Sequence, residues 1–322
     1  MARDFRETVW VVKKKAPGPA HGLWFGLAQE EVSRPDITVV GIPFDGAVCY
    51  RRGAAKGPDR IRAISKEIPP VVETGEGLSG LKVRDAGNLR LSSATERSYR
   101  KIEPRIAELA SESFLLTLGG DHSIAIPVHR AFSRLVRDPI GIVFVDAHTD
   151  LSDVFNGSRF SHACPLRRAL ELPHYSPAKT VLVGTRCFEA GGLEFIEKNR
   201  MTVFTAHRID EIGMKQAARE IIKLLADVPN VYLSIDIDAL DPAYAPGTGI
   251  PDAGGLSTRD VVSLIRDLSS LSVVAADLVE VAPPLDTADI TSFAAVKIIA
   301  ELFSLISRKK ARGERTGLMR AP

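Results

Sequence analysis

A single three-layer α/β/α domain, built on a mostly parallel sheet of about eight strands, is the fold that these 322 residues predict. Short, β-branched apolar runs alternate with longer amphipathic stretches, which is the rhythm of strands joined by helical crossovers. Three of the runs end in clusters of aspartate and histidine, and parallel sheets gather their ligands at such strand ends. No internal repeat and no Gly, Pro or Ser-rich linker divides the chain.

The expected strands are 37–42, 81–85, 114–118, 140–145, 180–183, 201–205, 231–235 and 273–279. Apolar residues recur at three- and four-residue steps over 94–111, 209–226, 258–268 and 290–307, which predicts helices there. Ser257 and Asp289 stand at expected N-cap positions. The catalytic domain is therefore expected over 37–307. Residues 1–36, with Ala16-Pro17-Gly18-Pro19 and an apparently exposed Trp24-Phe25, form an extension that wraps the surface or a neighbouring subunit. Residues 308–322, rich in Arg and Lys, read as a solvated, flexible tail.

Forty-two basic and 40 acidic residues leave a formal charge of +2, a balance that points away from nucleic acid or an anionic membrane and toward a small molecule. The three cysteines, Cys49, Cys164 and Cys187, are widely spaced and suggest neither a disulfide framework nor a zinc site. With no signal-peptide pattern at the N-terminus and no apolar run of membrane-spanning length, a reducing cytoplasm is expected.

The clusters carry the chemistry. Gly119-Gly120-Asp121-His122-Ser123 follows the run 114–118, Asp146-Ala147-His148-Thr149-Asp150 follows 140–145, and Asp236-Ile237-Asp238-Ala239-Leu240-Asp241 follows 231–235. In the last two, candidate ligands fall at i, i+2 and i+4, which extended backbone would place on one face. A strand-end Asp taken alone is an ordinary turn or cap residue. Several together at the end of an apolar sheet would be costly without positive charge among them. Asp146, Asp150, Asp236 and Asp238 would balance two divalent cations, with His122 and His148 completing the shell. An oxygen-rich set with two imidazoles suits Mn²⁺ better than Zn²⁺.

The segments GGDHS, DAHTD and SIDIDALDPAYAPGTG resemble, in order, the signatures of the ureohydrolases, the family of arginase and agmatinase, and the likeness spans about residues 37–305. GIPFDGAVCYRRGAAKGPDRIR, residues 41–62, resembles a further agmatinase-type segment. The resemblance implies an arginase-like fold, two Mn²⁺ per subunit and a homotrimer or homohexamer. It implies that His122, Asp146, Asp150 and Asp236 hold one metal and that Asp146, His148, Asp236 and Asp238 hold the other, with Asp146 and Asp236 bridging. By the same resemblance His162, in SHACPLRRALE, is the proton shuttle, and Glu280, in DLVEVAPP, grips the guanidinium. Asp150 would orient the attacking hydroxide, and Asp238 or His162 would protonate the departing amine. Asp121, Ser234 and Asp241 match motif positions outside the ligand set.

The departures cluster near the expected pocket: Ala163-Cys164 follow the shuttle position, Ala282 stands where Asn is common, and Ile250 and Asp252 replace Thr and Glu. The implied reaction is hydrolysis of a guanidino compound to urea and an amine, with agmatine as the expected substrate. Guanidinobutyrate, guanidinopropionate, arginine and formiminoglutamate are the enzymatic alternatives, and a metal-binding scaffold subunit is the non-enzymatic one. For the far end of the substrate, Arg51, Arg52, Asn156 and Arg159 would suit a carboxylate, and Asp45 and Asp153 an amine.

Overall fold

Burial on both faces is what the continuous apolar runs demand, and the computed structural model, which describes residues 22–29, 32–189 and 191–318, provides it. Eight strands form one sheet: β1 (Ile37–Ile42), β2 (Val83–Asn88), β3 (Phe114–Gly119), β4 (Ile140–Val145), β5 (Tyr175–Thr185), β6 (Thr202–Thr205), β7 (Asn230–Asp236) and β8 (Val273–Val279). Their spatial order is β2-β1-β3-β8-β7-β4-β5-β6. Every pairing is parallel, so the expected mostly parallel sheet is wholly so.

Alternation along each strand divides the core in two. Ile37, Val39, Leu116, Val143, Leu233 and Leu278 meet the helices Gly57–Ser65, Met214–Leu225, Thr258–Asp267 and Ile290–Ala311. Val40, Ile42, Leu115, Phe144, Tyr232 and Val279 meet Glu96–Ala110, Ala125–Leu135 and Pro165–Ala169 on the other face. Helix Ile290–Ala311 is long and apolar enough to cross a membrane, but most of it is buried within this fold. Its charged Glu301 is buried and paired with Arg266 and Lys297.

Four expectations need correction. Trp24 and Phe25 are buried, at 0% and 1% exposure. The Trp24 indole N–H donates to Asp85 at 2.7 Å, and both rings pack on Phe303. A large aromatic pair outside any periodic run gives no sign of what it packs against. The helix expected over 209–226 is two, Ala206–Ile212 and Met214–Leu225, broken at Gly213, whose φ of 77° no α-helix allows. Asp289 does not cap the last helix: it sits at φ 61° with its carboxylate on Arg60, and Asp286 instead accepts from the Thr291 and Ser292 amides.

The basic tail, lastly, does not begin at 308. The helix runs on to Ala311, Lys309 is buried with its ammonium on the Val273 carbonyl, and Lys310 pairs with Asp36. Residues 1–21 of the expected extension, with its Pro-Gly segment, and 319–322 of the tail lie outside the described residues. Ser257, by contrast, makes a full capping box with Asp260.

If Trp24 anchors the segment before β1 to the core, Trp24→Ala should lower unfolding free energy by about 3–5 kcal/mol. Urea denaturation followed by circular dichroism reads this directly; a loss below about 1 kcal/mol would show that the segment is a surface wrap after all.

Candidate active site

Strands β3, β8, β7 and β4 lie side by side at the centre of the sheet. At about 4.8 Å between neighbours, their C-terminal ends fall within about 15 Å of one another. The loop after β3 carries His122, that after β8 Glu280, and that after β4 Asp146, His148 and Asp150, while β7 ends on Asp236 and the turn that follows carries Asp238. Topology thus joins residues separated by more than a hundred positions.

The loops are shaped by tight backbone turns, and the extended one-face arrangement expected from the i, i+2, i+4 spacing is not what converges them. Residues Ile237–Ala239 form a 3-10 turn in which the Asp236 carboxylate accepts the Asp238 amide. The Asp146 carboxylate accepts the His148 amide at 2.6 Å, and Asp150 takes a left-handed φ of 51°. Gly120 has no freedom to carry a side chain, because a Cβ there would lie 1.7 Å from the Phe44 carbonyl oxygen.

His122 Nδ1 stands 3.1 Å from Asp146 Oδ2, 3.0 Å from Asp150 Oδ2 and 3.3 Å from Asp236 Oδ2. On its other side Nε2 meets Ser234 Oγ at 3.0 Å, while the Ser234 hydroxyl donates to Asp277. Since that hydroxyl proton is already used, Nε2 must be the N–H that donates to Ser234. In the neutral ring Nδ1 is then a lone pair facing three carboxylate oxygens, an arrangement that only added positive charge can hold. His122 Nδ1 and Asp146 Oδ2 are buried without hydrogen-bond partners among the described residues.

A second group adjoins the first. His148 Nδ1 lies 3.0 Å from Asp238 Oδ2 and 3.5 Å from Asp146 Oδ1, so Asp146 belongs to both groups. Asp236 Oδ2 faces the first group and its Oδ1 accepts the Asp238 amide.

The titration behaviour reports the same demand for cations. Burial, then the neighbouring Asp238 and Asp146 carboxylates, push Asp236 well above the usual carboxylate range. Burial and Asp146 raise Asp150 to about 7. Burial opposes charge on His122, yet Asp146, Asp150 and Asp236 raise its pKa well above the ordinary value. One imidazole proton cannot neutralise that many carboxylates; two divalent ions would. The six residues therefore fit a metal pair, with oxygen donors in the majority.

Glu280 and His162 stand together at the edge of this centre. Glu280, at a left-handed φ of 62°, accepts the His122 amide on Oε1 at 2.9 Å, and the same oxygen lies 3.1 Å from His162 Nδ1. His162 Nε2 accepts the Cys49 amide at 3.1 Å, which makes Nδ1 the protonated nitrogen of the neutral ring. Burial opposes a second proton, but the Cys49 thiol and Glu280 raise the His162 pKa to about 11. Nothing among the described residues donates to Glu280 Oε2.

A cleft opens above these groups, walled by Cys49, Phe155, Ala163, Ile250 and Glu189. The substituted positions Ala163 and Ile250 thus supply apolar wall. Of the residues expected at the far end of the substrate, none lines the cleft. Arg51 donates to the Gly249 and Thr248 carbonyls, Arg159 pairs with Asp153 and Glu171, Asp45 accepts the Gly53 amide, and Arg52 and Asn156 are exposed. Asp241 accepts three amides of the 243–255 loop, and Asp121 accepts those of Ala47 and Ser123. Both act on turns, as expected.

Sequence reasoning misses Glu189 and Arg186, although they follow β5 directly and the strand-end rule that singles out the three clusters applies to them equally.

Residues 35–304 match the arginase family. The chain is 36% identical over 287 residues to an agmatinase of Neisseria meningitidis serogroup C, covering 86% of this chain and 89% of that one. Among solved structures it resembles proclavaminate amidino hydrolase from Streptomyces clavuligerus, with a TM-score of 0.82 and 33% identity over 89% of this chain and 97% of that one. It also resembles a hypothetical agmatinase from Burkholderia thailandensis, with a TM-score of 0.80 and 30% identity over 88% and 90% of the two chains.

Because Asp146 serves both ligand groups, Asp146→Ala should leave the purified chain with neither ion. Glu280→Gln keeps an oxygen for the His122 amide and should retain about two ions per chain. Metal counting by plasma mass spectrometry separates the variants, and equal loss in both would merge the roles assigned to Asp146 and Glu280.

Proposed function

Because this chain belongs to the arginase family, we propose that it is a manganese-dependent ureohydrolase that cleaves agmatine to putrescine and urea. The observation that carries the reading is the pairing of two ligand groups, joined through Asp146, with a buried carboxylate whose Oε2 opens on the same cleft. His122, Asp146, Asp150 and Asp236 would hold one ion, and Asp146, His148, Asp236 and Asp238 the other. What the ions supply when bound is hydroxide at neutral pH, by lowering the pKa of water.

The chain's own residues account for the rest. Glu280 presents a carboxylate to the planar guanidinium, and its fixed Oε1 leaves Oε2 to take the substrate N–H. As the trigonal carbon becomes tetrahedral, the Asp150 carboxylate would accept a hydrogen bond from the attacking hydroxide. Collapse expels an amine that needs a proton. With its pKa raised to about 11, the His162 ring takes its second proton at neutral pH; Nε2 then ceases to accept the Cys49 amide and would donate that proton to the departing amine.

Agmatine is favoured over a guanidino acid by what the cleft presents. Among the described residues no Lys or Arg lines it, its three histidines are paired with Asp150, Asp238 and Glu280, and beyond them a substrate carboxylate would find the acids Glu189 and Asp150 with Phe155 and Ile250. A guanidinium with a cationic or apolar tail meets no such repulsion. The Neisseria relative named agmatinase supports the same order.

In a urea-release assay with Mn²⁺, kcat/KM for agmatine should exceed that for 4-guanidinobutyrate at least about tenfold, or about 1.4 kcal/mol. Equal or reversed preference would overturn agmatine as the substrate and leave the hydrolase standing. Glu280→Gln should lower kcat/KM for agmatine by about a hundredfold or more while metal content holds.

A further inference from the structure

Beyond the six candidate ligands, one short segment touches two of the three turns that carry them. We propose that residues 186–189, the loop after β5, are the positioning frame of the metal centre, with Arg186 setting Asp238 and Glu189 setting Asp150. The proposal rests on the metal reading above and adds residues to which that reading gives no part.

The segment makes three separate attachments. The amides of Arg186 and Cys187 both donate to the Ala147 carbonyl at 2.9 Å, between the ligands Asp146 and His148. The Arg186 guanidinium donates to five backbone carbonyls. Nη2 reaches Asp238 at 2.8 Å, Leu240 at 3.4 Å and Asp252 at 2.6 Å, and Nη1 reaches Ala239 at 3.1 Å and Gly184 at 3.2 Å. A planar fork of five N–H donors suits that ring of carbonyls, and a lysine ammonium does not. The 3-10 turn bearing Asp238 is thereby clamped from outside.

Glu189 performs the corresponding task on Asp150. Its Oε1 accepts the Thr149 amide at 3.0 Å and the Asp150 amide at 3.3 Å, and its Oε2 takes the Thr149 hydroxyl. Those amides belong to the turn in which Asp150 adopts its left-handed φ, a conformation that a β-carbon disfavours and that needs outside support. The fit is close: a Cβ on Gly192 would lie 2.4 Å from Thr149 Oγ1 and 3.3 Å from Glu189 Oε2. Glu189 thus lines the cleft yet spends its carboxylate on the backbone of a ligand turn.

The test is Mn²⁺ affinity, measured on the full chain by chelator competition with the bound ions counted. Glu189→Ala should weaken one of two sites by about 10–100-fold. Glu189→Gln keeps an oxygen for the two amides and should restore affinity. Activity lost by Glu189→Ala at low Mn²⁺ should return at saturating Mn²⁺ with an unchanged KM, which general damage to the fold would not allow. Arg186→Lys should weaken one site in the same way, and its loss should add to that of Glu189→Ala because the two act on different turns. If Glu189→Ala does not fold, Thr149→Val, which removes the hydroxyl donated to Glu189 together with the long contact from the Leu151 amide, should still weaken one site by about 2–10-fold. Wild-type affinity in Glu189→Ala, equal loss in Glu189→Gln, or a loss of activity that excess Mn²⁺ does not restore overturns the proposal. Failure of the wild-type chain to bind Mn²⁺ overturns the metal reading beneath it as well.

Discussion

Mutual repulsion among buried carboxylates is the constraint around which this end of the molecule is arranged. Asp146, Asp150, Asp236 and Asp238 are all at most 5% exposed, and they converge because β3, β8, β7 and β4 are neighbours in the sheet. Separately buried without partners, each charge would cost several kcal/mol. The surrounding polar structure answers that cost in layers. Backbone amides quiet one oxygen of Asp146 and one of Asp236, while Ser234 and Asp277 fix the His122 ring so that its remaining lone pair points into the cluster. What is left over is a directed set of oxygens and nitrogens that only cations can satisfy.

The same constraint explains where the backbone is strained. Among the site residues, Asp150 and Glu280 both hold positive φ, a conformation that costs a residue with a β-carbon about 1–2 kcal/mol. Neither turn would persist alone. The Asp150 turn is tied by its amides to Glu189, while Glu280 is locked by donating its own amide to Gly120 and accepting that of His122. This second tie crosses from β8 to β3 and joins the Glu280 carboxylate to the His122 turn through one backbone N–H, so the two side chains share a frame.

How much of this is legible in the sequence depends on the range over which each feature is decided. Strands such as 37–42, 140–145 and 273–279 are read to the residue, because burial on both faces leaves an uninterrupted apolar run. The candidate ligands are legible as a cluster because several acids gathered at the ends of such runs are too costly to bury unless cations offset them. What fails is whatever is decided by a distant partner. Trp24 looks exposed until Phe303 and Asp85 arrive from elsewhere in the chain, and Asp289 looks like a cap until Arg60 takes its carboxylate. Helix Ala125–Leu135 is missed because it begins directly after the His122 motif with Pro127 in its first turn, although Arg130, Ser133 and Arg134 mark a less buried face. Arg186 acts through carbonyl oxygens, which carry no sequence signature at all.

Substrate choice belongs to that last class. In the proposed reaction the candidate ligands and Glu280 would act on the guanidinium, which every substrate of that chemistry shares, so they would not distinguish one tail from another. Discrimination would then fall to the walls, where two of the departures stand: Ala163 and Ile250 line the cleft, while Ala282 is buried close to Gly53. Apolar walls separate tails that differ by a methylene only weakly, by about 1–3 kcal/mol, whereas an unpaired charge is rejected far more strongly. On the proposed reading, a cleft whose described wall beyond the paired histidines holds acids and apolar groups would select first by the sign of the tail's charge and only second by its length.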